Sequence, residues 1–258
     1  YEGLAFFDSR ALEVLRTAAT IDDPEPIGDW RTPAAAARLA EAEVVIGHWG
    51  CPPLDADVLA AAPRLGHLAY AAGTVKQVVS EAVFDRGIRV TTGARANAEP
   101  VAEFTLAAIL FANKDVFWRR VGPAPMPTAG AIPLGNWAKT IGIVGASLVG
   151  RRVMELLEPF PELAVCLYDP FVEAAEAEAL GATKVDLATL CDTADVLSIH
   201  APDLPATRGM IGRDQLARLR DGATVINTAR PALIDQEALI AELATGRLRA
   251  VLDVTDPE

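Results

Sequence analysis

The sequence predicts an α/β protein with doubly wound parallel sheets, and three observations predict it. Residues 140–150 read TIGIVGASLVG: a short apolar run suited to a buried parallel strand, then a Gly-rich turn that enters a helix. Residues 163–168 form a second apolar run, ending in Asp169-Pro170. Beyond them, apolar runs and helical stretches alternate to the end of the chain, as strand–helix–strand units do. Polar residues repeatedly follow the strand ends: Asp169, His200, Asn227, Arg230 and Asp253. That edge of an open parallel sheet is where ligands bind.

The first element carries the most chemistry. Residues 145–150 match G-x-G-x-x-G with Ser147 at the middle position. Gly145 permits the tight turn, and Gly150 permits close helix–strand packing. The free N–H groups at the helix start suit a pyrophosphate. Ser147 either crowds the phosphate slightly or donates its hydroxyl to it. Asp169 follows near the spacing, about 20 residues, at which a carboxylate holds the adenosine ribose. A carboxylate there favours NAD over NADP, whose 2′-phosphate would meet a like charge. The plainer alternatives are a Gly-rich turn used only for packing and a strand-end Asp that starts a turn before Pro170.

The bulk numbers exclude other classes. A chain of 258 residues, half of them apolar, is globular and long enough for two modest domains or one large one. The formal charge is −12 and no basic patch or tail is visible, which argues against nucleic acid. Cys51, Cys166 and Cys191 lie far apart, without a C-x-x-C pair, and suit a reducing cytoplasm. With three histidines, no clustered His/Cys metal site is expected. No apolar run is long enough to span a membrane. No signal peptide is seen, and Tyr1 is not a natural start.

In chain order, 4–7 reads as a strand, 11–18 as a helix and 22–30 as a loop. Thr32-Pro33 caps a helix to about Glu41. Strands at 43–47, 65–71 and 88–91 alternate with helices at 55–61 and 75–84. His48 and Trp49 sit at a strand end and are candidate substrate contacts, whereas His67 lies within a strand and reads as structural. Residues 98–119 form a long helix whose apolar positions Val101, Phe104, Leu106, Ala107, Leu110 and Phe111 nearly encircle it, so it needs cover on more than one side. Residues 121–136, with many prolines and glycines, read as an extended arm. Helices at 148–157, 171–180, 187–191, 213–219 and 235–245 then alternate with strands at 196–199, 224–226 and 249–252.

Four motifs in this half are GIVGASLVG with YDP after it, HAPDLPATRGMI, NTARPALID and LDVTDPE. Together with NAEPVAEFTLA at 97–107 and AAGT at 71–74, they resemble the D-isomer-specific 2-hydroxyacid dehydrogenases, which include phosphoglycerate, glycerate, lactate, formate and phosphite dehydrogenases. The resemblance implies two Rossmann-like domains. Residues 1–97 would be the smaller outer catalytic domain and 98–258 the NAD-binding domain, with an interdomain helix at 98–119 and the arm at 121–136. It implies NAD as cofactor, a small 2-keto or 2-hydroxy acid as substrate, and a homodimer. Arg230 would clamp the substrate carboxylate and keto oxygen, a task suited to its planar fork of donors. Glu258 would pair with a catalytic histidine serving as general acid and base. Ala72, Gly73 and Thr74 look like the backbone grip on the substrate carboxylate, with Trp49 facing the substrate. Gly145, Ser147, Leu148, Val149, Asp169, His200, Pro202, Thr207, Thr228, Ala229, Arg230 and Asp253 look like the cofactor contacts, Asp253 at the nicotinamide carboxamide.

Three departures qualify the resemblance. The family's catalytic histidine lies downstream of the glutamate in a Pro-His segment, and the sequence ends at Glu258, so a longer natural protein is expected. Pro231 stands where the family has Gly directly after the arginine; it fixes φ, lacks an N–H and biases Arg230 toward extended geometry. Lys76 and Val79 stand where acidic residues are common. The leading expectation is an NAD-dependent dehydrogenase. The alternative is a catalytically silent NAD(H)-binding dimer with a regulatory or scaffold role.

Overall fold

The computed structural model describes residues 7–21, 26–118 and 134–256. Residues 4–6 of the strand expected at 4–7 and most of the arm at 121–136 lie outside these, as does Glu258. The chain forms two compact units, Tyr1–Thr92 and Gly93–Glu258.

In the first unit, α1 (Ser9–Ala18) and α2 (Pro33–Glu41) precede a parallel sheet of β1 (Val44–Gly47), β2 (His67–Tyr70) and β3 (Arg89–Thr92), in that order. The Thr32 hydroxyl accepts the Ala35 N–H at 3.2 Å and Pro33 occupies the first turn, so α2 starts where the sequence places it. Two short helices, α3 (Ala56–Ala60) and α4 (Glu81–Asp85), connect the strands. Leu39, Leu54, Leu59, Leu68 and Val83 form the centre of this core. The helix expected at 75–84 is corrected to α4 alone. Leu54 N–H donates to Val78 O at 2.8 Å, and Ser80 Oγ donates to Leu54 O at 2.7 Å. Val75, Val78 and Val79 are β-branched and gain little from a helix, so this side pairing wins.

The second unit holds α5 (Ala94–Asn113), β4 (Lys139–Val144), α6 (Leu148–Leu157), β5 (Leu163–Tyr168), α7 (Ala174–Ala179), β6 (Thr183–Lys184), α8 (Leu187–Thr193), β7 (Val196–Ile199), α9 (Arg213–Arg218), β8 (Thr224–Asn227), α10 (Gln236–Ala244) and β9 (Arg249–Leu252). Its strands are parallel in the order β6-β5-β4-β7-β8-β9, the doubly wound arrangement whose order reverses between β4 and β7. One core packs the sheet against α5, α6 and α7, and a second contains α8, α9 and α10. All four residues of β7 and of β8 are buried, as strands covered on both faces must be.

The long helix is displaced from its expected bounds at both ends. A start at residue 98 would keep Pro100 in the first turn. The structure instead begins α5 at Ala94 and carries Pro100 inside it, forgoing one backbone hydrogen bond. At the other end Asp115 has φ +57°, a left-handed conformation that cannot continue a helix, and its carboxylate holds Arg249 Nη1 at 2.6 Å. The buried stripe of α5 is made of small residues, Ala98, Ala102, Thr105, Ala108 and Ala112 with Ile109, while Phe104 and Phe111 point outward. The helix expected at 171–180 is likewise shortened to α7. The Phe171 N–H donates to Asp169 Oδ1 at 2.8 Å, which makes residues 169–171 a turn.

At the N-terminal edge of the larger sheet, Asp195 is buried and its carboxylate gathers three groups. Oδ2 accepts the Thr140 N–H at 2.8 Å, Oδ1 accepts Arg220 Nη1 at 3.1 Å, and the buried Lys139 ammonium lies 3.9 Å away. Burial pulls the Lys139 pKa down, and Asp195 opposes that shift. Asp195→Ala should therefore strand a buried ammonium and a backbone donor, costing about 3 kcal/mol or more in urea unfolding. Adding Lys139→Met should recover part of that loss. Equal stability of the single variant and the parent would refute the ion cluster as a structural tie.

Candidate functional site

The reversal of strand order places the end of β4 beside the end of β7, and the Gly-rich turn fills that position. Gly145 has φ +95°, and a Cβ there would lie 2.7 Å from the Ala201 N. A Cβ on Gly150 would overlap the Gly145 O. Both positions exclude any side chain, so β4, α6 and the segment after β7 close on one another. Ser147 caps α6, its Oγ accepting the Gly150 N–H at 3.3 Å, and its own hydroxyl proton remains to be donated. The first intrahelical bond of α6 runs from Arg151 N–H to Ser147 O, so the Leu148 and Val149 N–H groups have no acceptor within the helix. Two free donors and the positive helix end make a cradle that fits a pyrophosphate.

Asp169 ends β5 and is tied to this turn. Its Oδ2 accepts the Ala146 N–H at 2.8 Å, while Oδ1 holds Phe171. Each carboxylate oxygen keeps a second acceptor site, so the group fits ribose hydroxyls while it braces the turn. Arg151 adds a brace that sequence reasoning missed: Nε donates to Ala146 O at 2.9 Å and Nη2 pairs with Glu176 at 2.6 Å.

Along the same edge, Arg230, Asp253 and Pro202 are exposed, and Thr228 is buried. Thr207 Oγ1 donates to Pro202 O at 2.5 Å and accepts the Leu204 N–H at 3.0 Å, closing the loop after β7. The loop after β8 is organised by Asn227, for which the sequence reading assigned no role. Its Oδ1 accepts the Ala229 N–H at 3.0 Å and its Nδ2 donates to Arg230 O at 2.8 Å. The Asn227 O accepts the Asp253 N–H at 3.0 Å, which joins this loop to the end of β9. Arg230 Nη1 rests on Ala229 O at 2.6 Å, and most of its donors remain for a ligand. Among the described residues no group of three His, Cys, Asp or Glu side chains is gathered as a metal site would need.

In the first unit, Trp49 follows β1 and Ala72, Gly73 and Thr74 follow β2, so all four lie beyond the same edge of that sheet. Trp49 and Thr74 are exposed, Gly73 is half-buried and Ala72 is fully buried, which leaves the Ala72 position only backbone to offer. Cys51 lies near them, but burial pushes its thiol up to about 11, so it is no nucleophile at neutral pH. His67 Nε2 pairs with Thr91 Oγ1 at 2.8 Å, in keeping with a structural role.

His200, expected to line the cofactor side, packs beneath the Gly-rich turn. Its side chain is buried, and its Cβ is 3.2 Å from where a Gly150 Cβ would stand. Nε2 bonds Ser198 Oγ at 2.8 Å, and Nδ1 has no partner among the described residues. An unmet acceptor costs less than an unmet donor, which favours the tautomer protonated on Nε2. Burial pushes its pKa down to about 3, so it is neutral at pH 7 and has no proton to give as a general acid. The unfolded chain takes up that proton near pH 6.5. The neutral imidazole's contribution is therefore complete above about pH 6.5 and declines as pH falls toward 3, by up to ~1.4 kcal/mol per pH unit. His200→Asn should flatten the melting temperature between about pH 6.5 and 4 relative to the parent. An unchanged slope would place the acid sensitivity elsewhere.

No helix among the described residues is long and apolar enough to cross a membrane. Residues 132–258 match the D-isomer specific 2-hydroxyacid dehydrogenase, NAD binding domain. The D-3-phosphoglycerate dehydrogenase of Methanocaldococcus jannaschii is 31% identical over 234 residues, covering 86% of this chain and 43% of that protein. The glyoxylate reductase of Aeropyrum pernix is 34% identical over 218 residues, covering 80% and 64%. The chain thus spans about two fifths of the length of the curated phosphoglycerate dehydrogenases it matches. Among solved structures, the TT0316 protein of Thermus thermophilus superposes with a TM-score of 0.71 at 31% identity, covering 88% of this chain and 73% of that one. The glycine cradle at β4, the carboxylate at the end of β5 and these matches agree: the chain belongs to the D-isomer specific 2-hydroxyacid dehydrogenase family, with NAD as its cofactor.

Proposed function

We propose that the protein is an NAD-dependent oxidoreductase that interconverts a small D-2-hydroxy acid and its 2-keto acid. The observation that carries this is the loop after β8, which presents Arg230 at the same sheet edge as the Gly-rich turn. Bound NADH supplies the hydride. Leu148 and Val149 N–H groups and the Ser147 hydroxyl hold the pyrophosphate, and Asp169 holds the adenosine ribose. Pro202, Thr207, Thr228, Ala229 and Asp253 shape the nicotinamide end. Arg230 binds the substrate carboxylate and steadies negative charge that grows on the keto oxygen. Glu258 orients the acid–base histidine that the resemblance places downstream, since His200 cannot serve. Trp49 and residues 72–74 of the first unit are the further substrate contacts that the resemblance implies. A reducing cytoplasm suits three free thiols.

The silent-binder alternative would gain if Pro231 distorted the loop that carries Arg230. Here Pro231 opens a 3₁₀ turn, Pro231–Leu233, and Arg230 holds φ −148° and ψ 140°, the extended geometry that proline demands of the residue before it. Pro231 O accepts the Ile234 N–H at 3.1 Å and Gln236 Nε2 at 3.1 Å. Proline therefore suits the loop, and this favours the enzyme.

The test is turnover of glyoxylate, pyruvate and hydroxypyruvate with NADH, and of D-3-phosphoglycerate with NAD, by the full-length protein. Arg230→Ala should lower kcat/KM by about 100-fold or more, because it removes both carboxylate binding and charge stabilisation. Absence of turnover across 2-keto and 2-hydroxy acids by an NAD-binding protein would leave the regulatory or scaffold dimer.

We also propose a homodimer, with no nucleic-acid partner. Its interface would use the outward face of α5, where Phe104 and Phe111 are nearly half exposed and Phe117 stacks edge-on against Phe111 at 5.7 Å. The arm at 121–136 would complete it. Sedimentation at micromolar concentration should show a dimer, and Phe104→Glu with Phe111→Glu should yield monomers. A parent protein that is monomeric would refute the interface.

A further inference from the structure

We propose that Thr105 of α5 is a positioning residue for Arg230, acting through the Thr228 hydroxyl; the proposal rests on Arg230 binding the substrate. Thr105 is fully buried among the small residues that α5 packs against the sheet. A hydroxyl there needs a reason, since Ala or Val would fill the same stripe without a polar group to satisfy. Its Oγ1 lies 2.8 Å from Val101 O and 3.1 Å from Thr228 Oγ1. The single Thr105 proton goes to the carbonyl, which can only accept. Thr228 must then donate to Thr105, and the relay has one direction: Thr228 to Thr105 to Val101 O.

Thr228 is the first residue after β8 and is itself buried. On one side Asn227 fastens the loop to itself through Ala229 N–H and Arg230 O. On the other, the Thr228 hydroxyl ties this loop to a helix. The Arg230 side chain is exposed and long, so the place of its guanidinium depends on where its backbone is fixed. Two hydroxyls deep in the core thus set the origin of a flexible arm at the surface. Val101 belongs to the same helix, so the relay refers Arg230 to α5 as a rigid body rather than to another loop.

Thr105→Val keeps the shape and removes the relay, and Thr105→Ser keeps the hydroxyl. In the full-length protein, Thr105→Val should lower kcat/KM by about 10-fold, as a small misplacement of a positioned group does. Thr105→Ser should restore most of it. In an Arg230→Ala background, Thr105→Val should have no further effect, because the group it positions is gone. A loss of equal size in both backgrounds, or a serine variant as impaired as the valine, would overturn the proposal. Amide hydrogen exchange gives a readout that needs no turnover. Thr105→Val should speed exchange at residues 228–230 relative to the segment from β4 to α6, and Thr105→Ser should not. If the parent turns over none of the acids, the functional reading falls and exchange alone decides this one: equal relative exchange in the valine variant and the parent would overturn it.

Discussion

Gly150 approaches Gly145 so closely that a single methyl group at residue 150 would overlap the Gly145 carbonyl oxygen. On the other side of the same turn, the backbone of His200 and Ala201 stands within 3.1 Å of where a Gly145 Cβ would be. The larger unit depends on this contact. It lets α6 start at the end of β4 and lets β7 lie beside β4, which is the reversal of strand order. The crevice at that reversal, and the unpaired N–H groups at the start of α6, follow from it. Asp169 and Arg151 then lock the turn from β5 and from α6 itself, through the two polar atoms of the Ala146 backbone.

The same economy of space explains His200. A side chain packed under the turn meets no water, so the imidazole stays neutral across the physiological range. Its value lies in shape and in one bond to Ser198, and its polarity is a cost carried by Nδ1, which is unmet among the described residues. At the opposite edge of the sheet the solution differs. Asp195 keeps its charge by gathering a backbone donor, Arg220 and Lys139. One edge is thus left with unused donors, while the polar groups of the other are drawn together on Asp195.

The larger unit was legible in the sequence because its strands are apolar on both faces and its turns use glycine. β5, β7, β9 and α6 fall on their expected residues for that reason. The errors arose where long-range bonds decide. Nothing local in Val75–Val79 shows that Leu54 will claim it, and nothing in Asp115 shows that Arg249 will hold it in a left-handed conformation. The start of α5 also differs from the expected residue 98: the helix carries Pro100 inside it, although a proline in a first turn is ordinarily the cheaper arrangement. At the candidate site, Gly145, Ser147 and Asp169 follow from motif spacing, whereas Arg230 rests on the resemblance carried by NTARPALID; each of these motifs is continuous in the chain. Asn227 stood in one of those motifs, but its role depends on the fold of its loop. Thr105 could not be found, because its partner is distant in the chain and both hydroxyls are buried.

Pro231 shows how a departure from a familiar pattern can be absorbed. Glycine after the arginine would leave that bond free to rotate, whereas proline restricts both itself and Arg230. In this loop the restriction coincides with what the neighbours impose. Asn227 draws the Arg230 carbonyl inward at 2.8 Å, and the Pro231 carbonyl starts a 3₁₀ turn that buries Leu233. The missing N–H of proline falls at the first position of that turn, where no intrahelical acceptor is available to it. The substitution therefore removes conformational freedom from the unfolded chain while leaving the folded loop unstrained, which is the condition under which proline stabilises. A loop made rigid in this way presents Arg230 from a fixed backbone, and the carboxylate recognition proposed for its planar fork of donors would gain from that fixity.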